Sequence, residues 1–180
     1  MKKVLVCLSN DELTQKIFVE LIEKNFLVEL YKDVNLNSSL AFDLILVDSE
    51  FIKDVENINL VTPVMYVYHI IEAIKIAKSN GLKIPIIYNS NGYENIETLK
   101  LLEGYIDVYL PDFKYANNEL GRKYSNINNY FEVTSKAITE MYKQVGPPQL
   151  DENGIIKRGL IIRHLILPNE IENSKNVLKW

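Results

Sequence analysis

The chain has 180 residues, 20 Lys+Arg against 24 Asp+Glu, 47% hydrophobic residues and one cysteine, a length that suits one domain or two small ones with a buried core. A net charge of −4 and a pI near 5.3 argue against the clustered basic face that nucleic-acid binding usually shows, and no apolar run reaches the ~20 residues of a membrane-spanning helix. With Cys7 alone, this chain builds neither an internal disulfide nor a site needing two of its own thiolates.

The opening Met1-Lys2-Lys3 and Val4 to Leu8 begin like a signal peptide, but Asn10, Asp11 and Glu12 end the apolar stretch too early. The expectation is a cytoplasmic protein with neither nucleic acid nor membrane as partner.

Residues 4–8 form a short apolar run with β-branched members, the pattern of a strand buried on both faces. Ser9 to Glu12 supply N-cap chemistry, and Leu13, Ile17, Phe18, Leu21 and Ile22 follow at helical spacing. Residues 26–31 and 44–47 predict two more strands, the second running into Asp48-Ser49-Glu50. Residues 51–62 have no clear period. Residues 64–68 predict a strand, and 70–78 a helix stopped by Asn80-Gly81. A strand over 84–88 runs into Asn89-Ser90-Asn91-Gly92, followed by a helix carrying Ile96, Leu99, Leu101 and Leu102. Residues 106–110 predict a strand, 111–129 an irregular polar segment, and about 131–144 a helix broken by Gly146-Pro147-Pro148. A last strand covers 160–167 and closes at Pro168.

Strands alternating with helices predict an α/β fold with a mostly parallel sheet. The sheet is either doubly wound (flavodoxin-like) or a partial (β/α) barrel. Both architectures gather functional groups at the carboxyl ends of their strands, so those ends supply the candidates. Asn89, Asn91 and Gly92 form either a plain strand-to-helix turn or a set of hydrogen-bonding groups for a ribose or carboxylate. Asp112 and Lys114, two residues apart, share one face of an extended chain and either flank a polar ligand or form a surface ion pair. Arg163 and His164 interrupt an apolar strand on opposite faces, so one of them points into a cleft or the interior; a satisfied structural histidine is the alternative. His69 is read as structural. Asp11 and Asp48 follow strands one and three in the placement of a phosphoacceptor site holding a divalent ion, or else cap a helix and end a loop.

From about Thr62 onward the chain resembles one family. The carrying segments are Pro85 to Glu94, Thr98 to Gly104, Asp107 to Tyr115, Gln144 to Pro148, Lys157-Arg158-Gly159 and Ile162 to Pro168. They resemble the radical S-adenosylmethionine proteins of the pyruvate formate-lyase activating enzyme-like branch. The resemblance implies a partial (β/α) barrel in which a [4Fe–4S] cluster, held by three cysteines spaced C-x3-C-x2-C, cleaves S-adenosylmethionine to a radical. It further implies a glycyl-radical enzyme as partner, and contacts to S-adenosylmethionine from Asn89, Asn91, Gly92, Asp112, Lys114 and His164.

The cysteine motif is absent, as is the Gly-Gly-Glu segment expected ahead of Thr62-Pro63. Residues 61–180 therefore read as a cluster-less, truncated relative, not catalytic alone. Residues 1–60, with Lys3 to Val6 and Phe42 to Asp48, more weakly resemble a response-regulator receiver with Asp48 as acceptor. The alternatives are a receiver-like signalling module or an inert recombined or engineered α/β hybrid. The expected assembly is one compact unit, with homodimerisation through exposed sheet edges.

Overall fold

A computed structural model describes three strands near the N-terminus, as backbone only, and all residues from 56 to 180. The chain divides into two compact units, Met1–Val55 and Glu56–Trp180. In the first unit β1 (Lys3–Cys7), β2 (Leu27–Leu30) and β3 (Leu44–Val47) form a parallel sheet in the order β2-β1-β3. The continuous apolar run of β1 suits its central place, with a neighbour on each side. The helix predicted over 13–22, Asp11 and Asp48 lie outside the described residues.

The second unit runs β4 (Ile58–Val61), a 3-10 turn (Pro63–Tyr66), α1 (Val67–Ser79), β5 (Ile86–Ser90), α2 (Ile96–Leu101) and β6 (Val108–Pro111). It continues with α3 (Asn118–Ser125), α4 (Tyr130–Val145), β7 (Gln149–Leu150), β8 (Ile156–Leu160) and α5 (Ile171–Lys179). Its sheet has the order β4-β5-β6-β8-β7, with β4, β5, β6 and β8 parallel and β7 antiparallel at the edge. The parallel strands thus lie in chain order. Right-handed crossovers that always step the same way put their helices on one face, as in a segment of a (β/α) barrel. The first unit's order is instead that of the start of a doubly wound sheet. The fold is α/β with a mostly parallel sheet. Among the described residues no helix is long and apolar enough to cross a membrane.

The helix-side face carries the core. Tyr88 and Tyr109 sit opposite each other on β5 and β6, both fully buried, with rings edge to face at 5.7 Å. Val67, Ile71 and Ile74 of α1, Leu99 of α2, and Ala137, Met141 and Val145 of α4 close over them. A second cluster joins Phe113, Tyr115, Tyr130, Ile138 and Val177, with Trp180 edge-on to Phe113 at 4.8 Å.

The structure corrects the expected elements in several places. Residues 64–68 are helical, not a strand, because Pro63 opens a 3-10 turn that leads straight into α1. The strand lies upstream, at Ile58–Val61, in the segment without a clear period. The polar segment after Pro111 contains α3, whose first turn is capped by the Asn117 side chain accepting from Leu120 N–H at 2.9 Å. The last strand is Ile156–Leu160 rather than 160–167, since its neighbour β6 ends at Pro111 and only an isolated Asp112–Arg163 bridge follows. The polar tail beyond Pro168 holds α5, which the apolar-run reading passed over.

Candidate functional site

The parallel strands end at a common edge, and their register sorts the side chains there. Ile86, Tyr88 and Tyr109 belong to the helix-side core. By alternation Asn89 on β5 and Asp112 just past β6 stand on the opposite face, and Arg163, the bridge partner of Asp112, joins them.

The turn after β5 is bound tightly to β6. Asp112 N–H donates to the Ser90 carbonyl at 3.0 Å, Gly92 N–H to Ser90 Oγ at 3.2 Å and Tyr93 N–H to Asn91 Oδ1 at 2.9 Å. Gly92 has φ +78°, and a Cβ there would stand 2.1 Å from the Asp112 carbonyl oxygen. Only glycine allows both the left-handed backbone and this approach. The Asn89 carbonyl accepts from Thr62 N–H at 2.8 Å, drawing in the end of β4. Thr62 itself has φ +52°, a costly conformation for a β-branched residue.

Asp112 is the hub. Its Oδ1 accepts from Arg163 Nε and its Oδ2 lies 3.3 Å from Lys114 Nζ. The carboxylate is largely buried, with 13% of the side chain exposed, while Lys114 and Arg163 retain 31% and 52%. One acid between two bases leaves a net positive cluster. Arg163 engages end-on through Nε, and its terminal nitrogens have no hydrogen-bond partner among the described residues. They are the groups that grip carboxylates in pairs.

His164 points the other way. Its Nδ1 lies 2.7 Å from the Phe113 carbonyl, which can only accept, so Nδ1 carries the proton. Its Nε2 lies 2.9 Å from the Ser174 hydroxyl of α5. Both ring nitrogens are thus engaged by the chain itself.

Below the turn, on the helix side, Glu94 is 4% exposed. Burial raises its carboxyl above the ordinary range, against hydrogen bonds with Ser90 and Tyr88 that lower it. Burial, with the neighbouring Glu94 charge, also pushes the Tyr88 phenol far up.

The structure therefore brings Asn89, Asn91, Gly92, Asp112 and Lys114 to one sheet end, and directs His164 toward α5. His69 is exposed on α1 instead of following a strand. Asp11 and Asp48 lie outside the described residues. Arg163 is the side chain at this sheet end to which the sequence alone gave no role. Its signal was the alternation that set it opposite His164, but only the parallel register identifies Asp112 as its partner. Among the described residues no three His, Cys, Asp or Glu side chains gather as for a metal ion.

No family model matches the chain. It is 34% identical over 105 residues to the uncharacterized protein MJ0674 of Methanocaldococcus jannaschii, a stretch that is 58% of this chain and 27% of that relative, so the chain spans about a quarter of the relative's length.

Proposed function

We infer that residues 61–180 are a segment of a (β/α) barrel of the radical S-adenosylmethionine type, in the pyruvate formate-lyase activating enzyme-like branch, that retains a nucleoside-binding end without radical chemistry of its own. The observation that supports this reading is the convergence of Asn89, Gly92, Asp112, Lys114 and Arg163 at one end of the parallel strands of the second unit, Glu56–Trp180, which lie in chain order. Their chemistry suits a zwitterionic nucleoside: Asp112 accepts from an ammonium or ribose hydroxyls, Asn89 offers an amide, and Lys114 and Arg163 neutralise a carboxylate.

A [4Fe–4S] cluster does not fit this chain, because one cysteine cannot supply three thiolates. No step is routed through it. The same reading carries a cytoplasmic location, homodimerisation through exposed sheet edges and, from family resemblance alone, a glycyl-radical enzyme as partner.

Calorimetric titration with S-adenosylmethionine tests the site. The expected result is saturable binding with a dissociation constant of about 10 µM to 1 mM, weakened about tenfold or more in Asp112→Ala. Neither heat nor thermal shift at the upper end of that range would overturn the reading in favour of an inert hybrid. Stoichiometric cluster absorbance after reconstitution with iron and sulfide would overturn the absence of radical chemistry.

One observation favours a second reading for residues 1–60: the order β2-β1-β3 of the first unit is that of the start of a receiver-type sheet. That reading predicts Mg²⁺-dependent labelling of Asp48 by a small phosphodonor. Equal labelling of Asp48→Asn would end it.

A further inference from the structure

After β6 the backbone leaves the sheet, and its polar groups need partners other than a neighbouring strand. Phe113 N–H still finds a carbonyl, that of Arg163 at 2.8 Å. The next groups are held by side chains. The Phe113 carbonyl accepts from His164 Nδ1 at 2.7 Å, and Lys114 N–H donates to the Tyr130 hydroxyl at 2.9 Å. Asn173 of α5 then donates through Nδ2 to the Lys114 carbonyl at 2.8 Å. It also accepts at Oδ1 from Ala116 N–H at 2.8 Å.

Asn173 is 3% exposed, so water cannot replace either bond. The side chain presents one donor and one acceptor to two backbone groups, the pairing a neighbouring strand would otherwise provide. Its neighbour Ser174 bonds His164 Nε2 at 2.9 Å, so α5 grips the same segment a second time through the imidazole. Lys114 lies between these grips. Its ammonium meets Asp112 Oδ2 at 3.3 Å while its own backbone is held in place.

We propose that Asn173 is a positioning residue for the carboxyl-end site: it holds the backbone of residues 114–116 so that Lys114 faces Asp112, with Ser174 acting alongside it through His164. The functional meaning rests on the nucleoside-binding reading above, but the placement of Lys114 has a readout that needs no ligand.

The test uses the full chain with isotopically labelled lysine, the Lys114 side-chain NMR signal being assigned by Lys114→Arg. Asn173→Ala is expected to move that signal toward the position of a solvent-exposed lysine and to weaken S-adenosylmethionine binding about tenfold. In a double-mutant cycle, Asn173→Ala added to Lys114→Ala weakens binding no further, because both remove the same interaction. A merely structural asparagine would lower the melting temperature, leave the Lys114 signal in place and add its effect to that of Lys114→Ala; that outcome overturns the proposal. If the wild type binds no S-adenosylmethionine while Asn173→Ala still moves the Lys114 signal, the ligand reading falls and the positioning role stands. Should Asn173→Ala fail to fold, Ser174→Ala, which removes one hydroxyl, carries the same measurements with the same outcomes.

Discussion

The two faces of the second sheet differ by a single step along each strand. On β5, Tyr88 turns toward the helices and is fully buried against Tyr109, while Asn89 turns the other way and joins the polar strand ends. On the helix side, polar side chains pair with one another: the Tyr109 hydroxyl donates to Gln144 Oε1 at 2.7 Å, and Gln144 Nε2 to the Leu99 carbonyl at 3.0 Å, while the buried Thr134 hydroxyl has no partner among the described residues. On the opposite side one carboxylate holds two cations that stay partly in water. The period-two alternation of a strand thus places adjacent residues in an apolar core and in a polar, partly hydrated cluster.

The separation breaks most visibly from the helix side. Leu99→Ala empties a fully buried position and is expected to cost about 2–5 kcal/mol of unfolding free energy. Denaturant titration measures it, and ligand affinity per folded molecule stays unchanged.

Gly92→Ala should cross the divide, because its Cβ meets the Asp112 carbonyl oxygen while its φ is positive. The expected loss is about 3 kcal/mol of stability, together with ligand binding, as the Asp112 backbone is pushed away. Retained affinity in this variant would show that the turn does not set the site.

Asp112→Ala should act on the other face alone. Its pairs are with partly exposed cations, so stability changes by about 1 kcal/mol or less. Ligand affinity falls about tenfold or more, as for a lost charged hydrogen bond.

The smallest effect is a pH dependence. Burial holds the Glu94 carboxyl above its ordinary value of 4.5, so the folded chain keeps a proton that the unfolded chain has released. Stability therefore falls as pH rises through the window between the unfolded and folded values. Glu94→Gln removes that fall. Thermal melts of the two proteins from pH 4 to 8 should converge at the acid end and separate toward neutrality, with the variant the more stable.

Legibility followed the physics of each signal. Where local pattern and tertiary environment agree, as in the strand expected over 84–88 and found at Ile86–Ser90 and in the turn at Gly92, the residues alone indicated both element and candidate site. The helix over 130–145 was likewise legible, with Thr134, Ala137, Ile138, Met141 and Val145 buried along one stripe. Ile58–Val61 escaped because only alternate residues are half-buried and the strand is too short for a period to register. The segment 160–167 misled for the opposite reason. Its apolar residues look like a core strand, yet Ile166 is 75% exposed and Leu165 48%, because pairing stops at the Asp112–Arg163 bridge. α5 was hidden by a polar composition whose anchoring depends on Asn173, Val177 and Trp180 meeting residues some sixty positions earlier.

By itself, the sequence determined the α/β class, the parallel strands and the short polar motifs at their ends, since all of these follow from periodicity and turn chemistry within a few residues. Tertiary structure alone decided that β4, β5, β6 and β8 lie in chain order, that Arg163 rather than His164 shares the face of Asp112, and that a buried asparagine near the C-terminus holds Lys114. Those outcomes depend on register between distant strands and on which backbone groups lack a partner, quantities that no local window of residues contains.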